Sequence, residues 1–439
     1  MVAGYGPAAM VTTPWGDAGT LRDRKLRPGR RLPPEEVARN QQERLFAALV
    51  AVVADKGYEA TRVEDLLELS GVSRSAFYAH FSDKEECLLA ALRAFVGPTV
   101  GGIFGEGEGG PPPDEERARQ AFRAFIELIV EQAAAARMCL VEIYAAGPKA
   151  IAEIDRTTDG VQAFLSATLD QVPGRKGMPP EIVRAMVAGV RKVIHSRLYR
   201  HEEEELIELI RQMWDWFASY EMPPEALRRP RGRANGNGGP TSGYDPVERI
   251  LRALASVVAE KGYPAMTIGD IASRASISLS TFYANFTDKE EAMLAAVDSG
   301  SSQMLATTLP AFRRAPDWPH AVRGAFGAMF AYCAAEPEYT TLGAVDVYAA
   351  GRRALEQRDE VMKTMEALLI PGYERKPDAS PIAAEAIGGA IYGMIYDQIK
   401  RGGAESMQEV APLATYVTLA PFISAEEACA VANGDGRGR

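Results

Sequence analysis

The sequence is poor in the residues that most often carry chemistry. Cysteine and histidine occur four times each in 439 residues. Cys87, Cys139, Cys333 and Cys429 lie far apart with no CxxC pair, which excludes a disulfide framework and predicts free thiols in a reducing compartment. His80, His195, His201 and His320 stand in no metal-ligand spacing with cysteines or carboxylates. There is also no glycine loop with a lysine to cradle phosphate, and no nucleophile elbow. An enzyme, a bound metal and a cofactor are therefore not expected. No stretch alternates polar and apolar residues as a half-buried strand would, so the predicted fold is all-α. The first residues lack a basic segment leading into an apolar core, and no apolar run reaches the length of a bilayer span. The expectation is a cytoplasmic protein with no membrane partner.

Excess positive charge is missing too. The net charge is −10, which overall does not suit a nucleic-acid partner. The basic residues are clustered, however. Arg22, Arg24, Lys25, Arg27, Arg30 and Arg31 form one arm, and Arg228, Arg229, Arg231 and Arg233 form a second. Acidic residues gather elsewhere, as at Glu202 to Glu205, so local sign outweighs the total. That acidic run is expected to be a solvated helix start.

What is present is a repeat. GVSRSAFYAHFSDKEE runs from Gly71 to Glu86, and SISLSTFYANFTDKEE runs from Ser276 to Glu291. From Arg44 and Arg249 onward the two halves align without gaps at an offset of 205, with roughly half the positions identical. The repeat extends beyond this stretch: Glu142-Ile-Tyr-Ala-Ala-Gly returns as Asp346-Val-Tyr-Ala-Ala-Gly at an offset of 204. A Pro-Gly turn is expected at Pro173-Gly174 and again at Pro371-Gly372. The duplicated unit is thus a two-part module. The chain divides into a mobile arm over 1–40, a first head over 41–95, a first helical body over 114–222, a low-complexity linker over 223–245, a second head over 246–298 and a second body over 303–425.

Within the first head, Leu45, Leu49, Val52 and Val53 make an apolar stripe that Gly57 ends. Gly71 frees the turn, Val72 plugs it, and Ser73 caps the helix that follows. Phe77 and Phe81, four residues apart, both point into the core. Ser82 with Glu85 matches a capping box, and Thr267 with Asp270 resembles a helix cap in the second head. Gly97 to Pro113 reads as a flexible break, Glu115 to Leu140 as one long helix, and about 141–172, 180–199 and 203–220 as further helices.

These features make each half resemble a TetR/AcrR-type transcriptional regulator. The resemblance rests on Lys56-Gly57-Tyr58 and Lys261-Gly262-Tyr263 at a helix end, on the turn, on the FYAHF and FYANF helices, on the DKEE helix start, and on the basic lead-in RPGRRLPPEEVARNQQERL. It is specific in the heads; the bodies agree in helical plan alone. It implies a repressor-like regulator of double-stranded DNA, with helix-turn-helix heads and bodies that sense a small-molecule effector. A ligand switches such a protein only as far as it prefers the conformation that does not bind DNA. The family acts as a homodimer whose two heads reach successive major grooves about 34–36 Å apart. One chain with two heads then acts as an intramolecular pseudo-dimer, or pairs as a homodimer with four heads.

In the first head the candidate DNA contacts are Ser73, Arg74, Ser75, Tyr78, His80 and Lys84. Arg74 suits guanine or phosphate; Tyr78 and Lys84 suit the DNA backbone. In the second head the candidates are Ser278, Ser280, Thr281, Tyr283, Asn285 and Lys289, with Asn285 suited to adenine. Here Ser276 replaces Gly71 and Leu279 replaces Arg74, which weakens the turn and removes an arginine. Two outcomes stay open: a head that reads different or fewer bases, or one that has lost DNA binding. The alternative function is accordingly a ligand-binding or scaffold protein of the same fold. The basic arm around Arg22 to Arg31 either enters the minor groove, adds salt-dependent affinity, or only solubilises. Ala185 with Gly189, and Gly389 with Gly393, allow close helix approach, either within one body or between the two. Tyr144 and Tyr348 either line a pocket or pack in the core.

Overall fold

The computed structural model describes residues 11–26, 32–105, 114–228 and 245–434, and it is all-α. Among the described residues, the strands are Thr12–Thr13 (β1) and Gly16–Asp17 (β2), a two-residue antiparallel pair. The chain forms two compact units, Met1–Val172 with Ile194–Arg211, and Pro173–Val193 with Gln212–Arg439.

The first unit begins with a segment expected to be mobile, and the structure corrects this for residues 11–26. The β1–β2 hairpin and a 3-10 turn at Ala18–Thr20 lie on the helix Pro34–Ala60 (α1). Leu21 and Ala18 are fully buried against Ala47, Ala48 and Ala51, and the Trp15 ring sits 5.1 Å from that of Phe46. Arg22 donates to the carbonyl of Glu68, and Arg24 to that of Trp15. Arg27, Arg30 and Arg31 lie outside the described residues, as do Arg229, Arg231 and Arg233.

Helix α1 loses helical geometry at Gly57, whose φ of 78° suits glycine. The next helices are Val63–Ser70 (α2), Arg74–His80 (α3) and Lys84–Phe104 (α4). Gly71 turns between α2 and α3 at φ 65°. Ser73 Oγ accepts the Ala76 N–H at 3.2 Å, Val72 is buried, and the rings of Phe77 and Phe81 meet at 5.7 Å inside the head. The cap of α4 is one residue later than expected. Asp83, not Ser82, accepts from the Glu86 N–H, and Glu86 rather than Glu85 reaches back to the Ser82 N–H at 2.6 Å. Helix α4 also runs through Gly97 to Phe104, where a break was expected. Contrary to expectation, it is long and apolar enough to match a membrane span by length and composition. Its Cys87, Leu88, Ala91 and Leu92 instead complete the core of the first head.

The expected long helix over 115–140 divides at Gln132 into Glu115–Glu131 (α5) and Ala133–Leu140 (α6), because Gln132 leaves helical geometry at φ −109°, ψ 41°. Pro148–Leu169 (α7), Pro180–Arg200 (α8) and Glu205–Ala218 (α9) follow. The acidic run before α9 is more than a solvated start: Glu203 pairs with Arg137 at 3.1 Å, Glu202 with Arg200 at 2.8 Å, and Glu205 with Arg197 at 3.2 Å.

The second unit holds the second head, Pro246–Lys261 (α10), Ile268–Ala275 (α11), Leu279–Tyr283 (α12) and the start of Lys289–Arg313 (α13). Thr267 and Asp270 form a reciprocal capping box on α11. Ser276 keeps the left-handed turn at φ 53° despite its Cβ, at a local cost of about 1–2 kcal/mol. Beyond the head lie Trp318–Ala335 (α14), Pro337–Ala344 (α15), Arg352–Glu366 (α16), Ile370–Arg375 (α17), Ala383–Gly402 (α18), Ala411–Leu419 (α19) and Ala425–Asn433 (α20). Pro371-Gly372 lies inside α17 and makes no turn. Gly372 is there because a Cβ would come within 2.7 Å of the Trp318 ring.

Residues from the first half complete this unit. Tyr220 Oη donates to the carbonyl of Val417 at 2.8 Å, Tyr416 Oη donates to that of Glu221 at 2.7 Å, and Trp216 is fully buried. The small residues meet here as well. A Cβ on Gly389 would overlap the Cβ of Lys192, one on Gly393 would lie 2.5 Å from that of Ala188, and one on Gly189 would lie 2.6 Å from the carbonyl of Ala386. Helices α8 and α18 thus approach closely through glycine and alanine, with Arg184–Asp397 (3.3 Å) and Lys192–Asp359 (3.0 Å) as ion pairs beside them. Of the two arrangements open from sequence, these glycines serve contact between a helix of the first half and one of the second.

Candidate nucleic-acid interface and effector cavity

Two kinds of site stand out: the outward faces of α3 and α12, and an apolar cavity in the second unit. On α3, burial of Phe77 leaves Ser73, Arg74, Ser75 and Tyr78 in solvent, with Tyr78 51% exposed. Arg74 is held by Glu64 of α2, an ion pair with both side chains largely exposed. Such a pair is weak in water, so it leaves the guanidinium free to exchange partners. His80 is only half-exposed, and its Nε2 lies 2.9 Å from Gln41 Oε1 of α1.

Lys84 is placed differently from the expectation of a backbone contact. Its ammonium donates to the carbonyls of Tyr58 (2.9 Å), Glu59 (3.2 Å) and Thr61 (2.9 Å) and sits 4.4 Å over the Tyr58 ring. Three donors meet three acceptors, so in this conformation Lys84 ties α4 to the end of α1. Burial lowers its pKa. Lys289 repeats the arrangement, donating to Tyr263 (3.3 Å) and Met266 (3.2 Å), with its ammonium 4.7 Å over the Tyr263 ring. From sequence both lysines are expected as DNA contacts, and the carbonyls that they engage become visible only in the tertiary fold.

On α12, Phe282 is buried, while Ser278, Leu279, Ser280, Tyr283 and Asn285 are exposed and Thr281 is half-exposed. Ser278 Oγ caps the Thr281 N–H at 3.1 Å, and Asn285 Nδ2 donates to the carbonyl of Thr281 at 2.8 Å. The outward face is uncharged from Ser276 to Thr287.

The cavity lies among α13, α14, α16 and α18 and measures ≈ 180 Å³. Met304, Phe326, Met329, Met362 and Ile391 supply much of its apolar wall. Sequence reasoning did not find it, since such a wall cannot be told from core packing. Hydroxyls on its lining, among them Tyr332 Oη and Thr418 Oγ1, are buried without a hydrogen-bond partner. Glu366 also lines it, and burial, assisted by the nearby Glu385, pushes its carboxyl up to about 7. Arg358 reaches the wall while donating through Nη2 to Asp359 at 2.8 Å, with Tyr348 and Tyr392 against its guanidinium. Tyr348 is therefore a support for Arg358 and not a wall residue.

The model for bacterial regulatory proteins of the tetR family matches residues 45–91 and 250–297. The HTH-type transcriptional activator FasR of Mycolicibacterium smegmatis is 27% identical over 164 residues, covering 37% of this chain and 71% of FasR. The uncharacterized HTH-type transcriptional regulator YerO of Bacillus subtilis is 32% identical over 87 residues, 19% of this chain and 30% of YerO. Among solved structures, the TetR family regulator PfmR from Thermus thermophilus is 22% identical, covers 39% of this chain and 94% of its own, and gives a TM-score of 0.34. FadR from Bacillus subtilis, solved with stearoyl-CoA, is 14% identical with 39% and 97% covered and a TM-score of 0.36. Residues 45–91 and 250–297 are thus two tandem copies of a domain of the tetR family of bacterial regulatory proteins.

Proposed function

We propose that this chain is a cytoplasmic, sequence-specific transcription regulator whose two fused modules act as a pseudo-dimer on double-stranded DNA, and whose effector enters the cavity of the second body. The observation that carries the proposal is the pair of reading helices, α3 and α12, each with its aromatic pair turned inward and a polar face turned to solvent. DNA contact in the first head is assigned to Ser73, Arg74, Ser75 and Tyr78, and in the second to Ser278, Ser280, Thr281, Tyr283 and Asn285. The contact of Gly389 and Gly393 with α8 supports the pseudo-dimer, since it joins the two halves of one chain as two subunits would be joined.

For the effector, the cavity favours a small, mainly apolar molecule. Its size exceeds a cavity of about 150 Å³ that accepts benzene. The unpaired hydroxyls of Tyr332 and Thr418 favour a ligand with a hydrogen-bonding group as well. Repression is the sense that the family resemblance implies; the relative FasR is named an activator, so a reporter assay must include both signs.

Selection from random DNA by the purified full chain, with the mass of the complex recorded, tests the reading. One chain on one imperfect palindrome is expected. Two chains on a longer site would overturn the pseudo-dimer, and no enriched sequence at low salt would favour a scaffold that has lost operator recognition.

A further inference from the structure

We infer that Leu279 reads a thymine through its C5-methyl group, so that the two heads of one chain recognise unlike bases at an equivalent position. The inference rests on the DNA-binding reading above and assigns the base chemistry of the second half-site.

Leu279 opens α12 and is 52% exposed. The core of the second head does not use it: Ile271, Phe282 and Phe286 are buried behind the helix, and Ile277 packs against them. About half of the Leu279 surface is left in solvent in the free protein. Tyr283, 56% exposed, lies four residues on and therefore on the same face. The change from the first head also involves a second position. Arg74 is paired with Glu64, and at the two equivalent positions stand Leu279 and Gly269. Both members of an exposed ion pair are absent together, and a Cβ at Gly269 would meet only Thr267 Oγ1, at 3.7 Å. The result is an uncharged reading face with one apolar projection among hydroxyls.

The floor of the major groove offers donors, acceptors and one apolar group, the thymine methyl. Leucine has neither a donor nor an acceptor, and it gains nothing from phosphate. A methyl group is the feature of a base edge that it is able to distinguish. Arginine at the same place in the first head suits guanine O6 and N7. Where Arg74 contacts a base, an operator with guanine in one half-site and thymine in the other follows.

The test uses the full chain and its selected operator, with each thymine replaced in turn by deoxyuridine, which removes only the methyl group. One replacement in the second half-site is expected to weaken binding about fourfold, the value of one methyl-sized apolar contact. Leu279→Ala should abolish that sensitivity and leave the replacements in the first half-site unchanged. Because Leu279 is exposed, the variant should keep the parent melting temperature, which separates lost reading from lost folding. A uridine effect that persists in Leu279→Ala, or the absence of any sensitive thymine in the second half-site, would overturn the inference while leaving the regulator reading intact. Loss of chain–chain association on Leu279→Ala without a methyl effect would also overturn it and mark a protein contact. If the chain selects no DNA, the regulator reading fails, and this inference fails with it.

Discussion

Glu142 Oε2 accepts the backbone N–H of Tyr58 at 2.9 Å, fastening the 3-10 segment Glu142–Ala146 to the end of α1 just beyond Gly57. The second half carries the shorter Asp346 in that place, and its Oδ2 is buried without a hydrogen-bond partner. One methylene separates a made bond from a buried, unpartnered oxygen. Removing Glu142 strands a buried N–H, so Glu142→Ala should lower stability by about 1–3 kcal/mol in urea unfolding.

Asp346 gives the opposite result, and one that depends on pH. Burial pushes its carboxyl up to about 7. The folded chain therefore holds a proton that the unfolded chain has released above about 4. Its contribution to stability is complete below that pH and is lost progressively as pH rises towards about 7. Asp346→Asn removes the charging cost. It should stabilise the protein at pH 8, by on the order of 1–3 kcal/mol, and change little at pH 4. Thermal unfolding at both pH values measures this, and an equal shift at the two would reject the burial account.

Lys84, tied to three carbonyls, and Arg74, proposed to read DNA, are expected to respond differently to substitution. Lys84→Gln leaves three carbonyls without their ammonium and should cost about 1–3 kcal/mol of stability. The salt dependence of DNA binding should stay as it is, because the ammonium is not free for phosphate in this conformation. Arg74→Ala should leave stability within about 0.5 kcal/mol. It should cost about 1–3 kcal/mol of discrimination if the contact is a base, or reduce the salt slope by about 0.9 if it is a phosphate. Binding isotherms from low to moderate salt distinguish the three results.

The limits of the sequence follow the range of the interactions concerned. The Ser73 cap, the Phe77–Phe81 pair and the Thr267–Asp270 box depend on residues within a turn of one another, and all were legible. Ser82–Glu85 was misread by one residue because Asp83 competes for the same cap. The break at Gln132 has no glycine or proline to announce it. Pro371-Gly372 looks like a turn until Trp318, over fifty residues earlier, is seen to need the space. The engaged lysines, the cavity and the partners of Gly389 all depend on chain segments distant in sequence, where spacing carries no signal.

The folded arm makes a prediction of its own. Leu21 is fully buried on an alanine face formed by Ala47, Ala48 and Ala51. At the equivalent positions α10 has Arg252, Ala253 and Ser256, and Arg252 pairs with Glu248 and Glu336. That face of the second head is thus polar and supplies its own ion pairs. Leu21→Ala should cost about 2–4 kcal/mol through the cavity it leaves. Arg22→Ala should reduce the salt slope of DNA affinity by at most about 0.9, since its exposed guanidinium keeps its charge while donating to the Glu68 carbonyl. Unfolding curves and salt titrations read the two effects separately.

Gly389 and Gly327 test whether close helix approach, rather than helix propensity, decides what glycine does in α18. Gly327 lies on α14 with nothing within 4 Å of a Cβ, and it is exposed. Alanine there should stabilise the chain by about 0.5–1 kcal/mol, the ordinary gain of replacing glycine inside a helix. At Gly389 the same gain is available, but the new methyl overlaps the Cβ of Lys192 and must push α8 and α18 apart. Overpacking of that kind costs about 1–3 kcal/mol, so Gly389→Ala should lower stability where Gly327→Ala raises it. The separation also strains the Lys192–Asp359 pair and, through Asp359, the guanidinium of Arg358 at the cavity wall. Effector binding should therefore weaken in Gly389→Ala and persist in Gly327→Ala. Calorimetric titration of both variants with the same apolar ligand decides the point, and equal affinities would show that the contact between α8 and α18 does not reach the cavity.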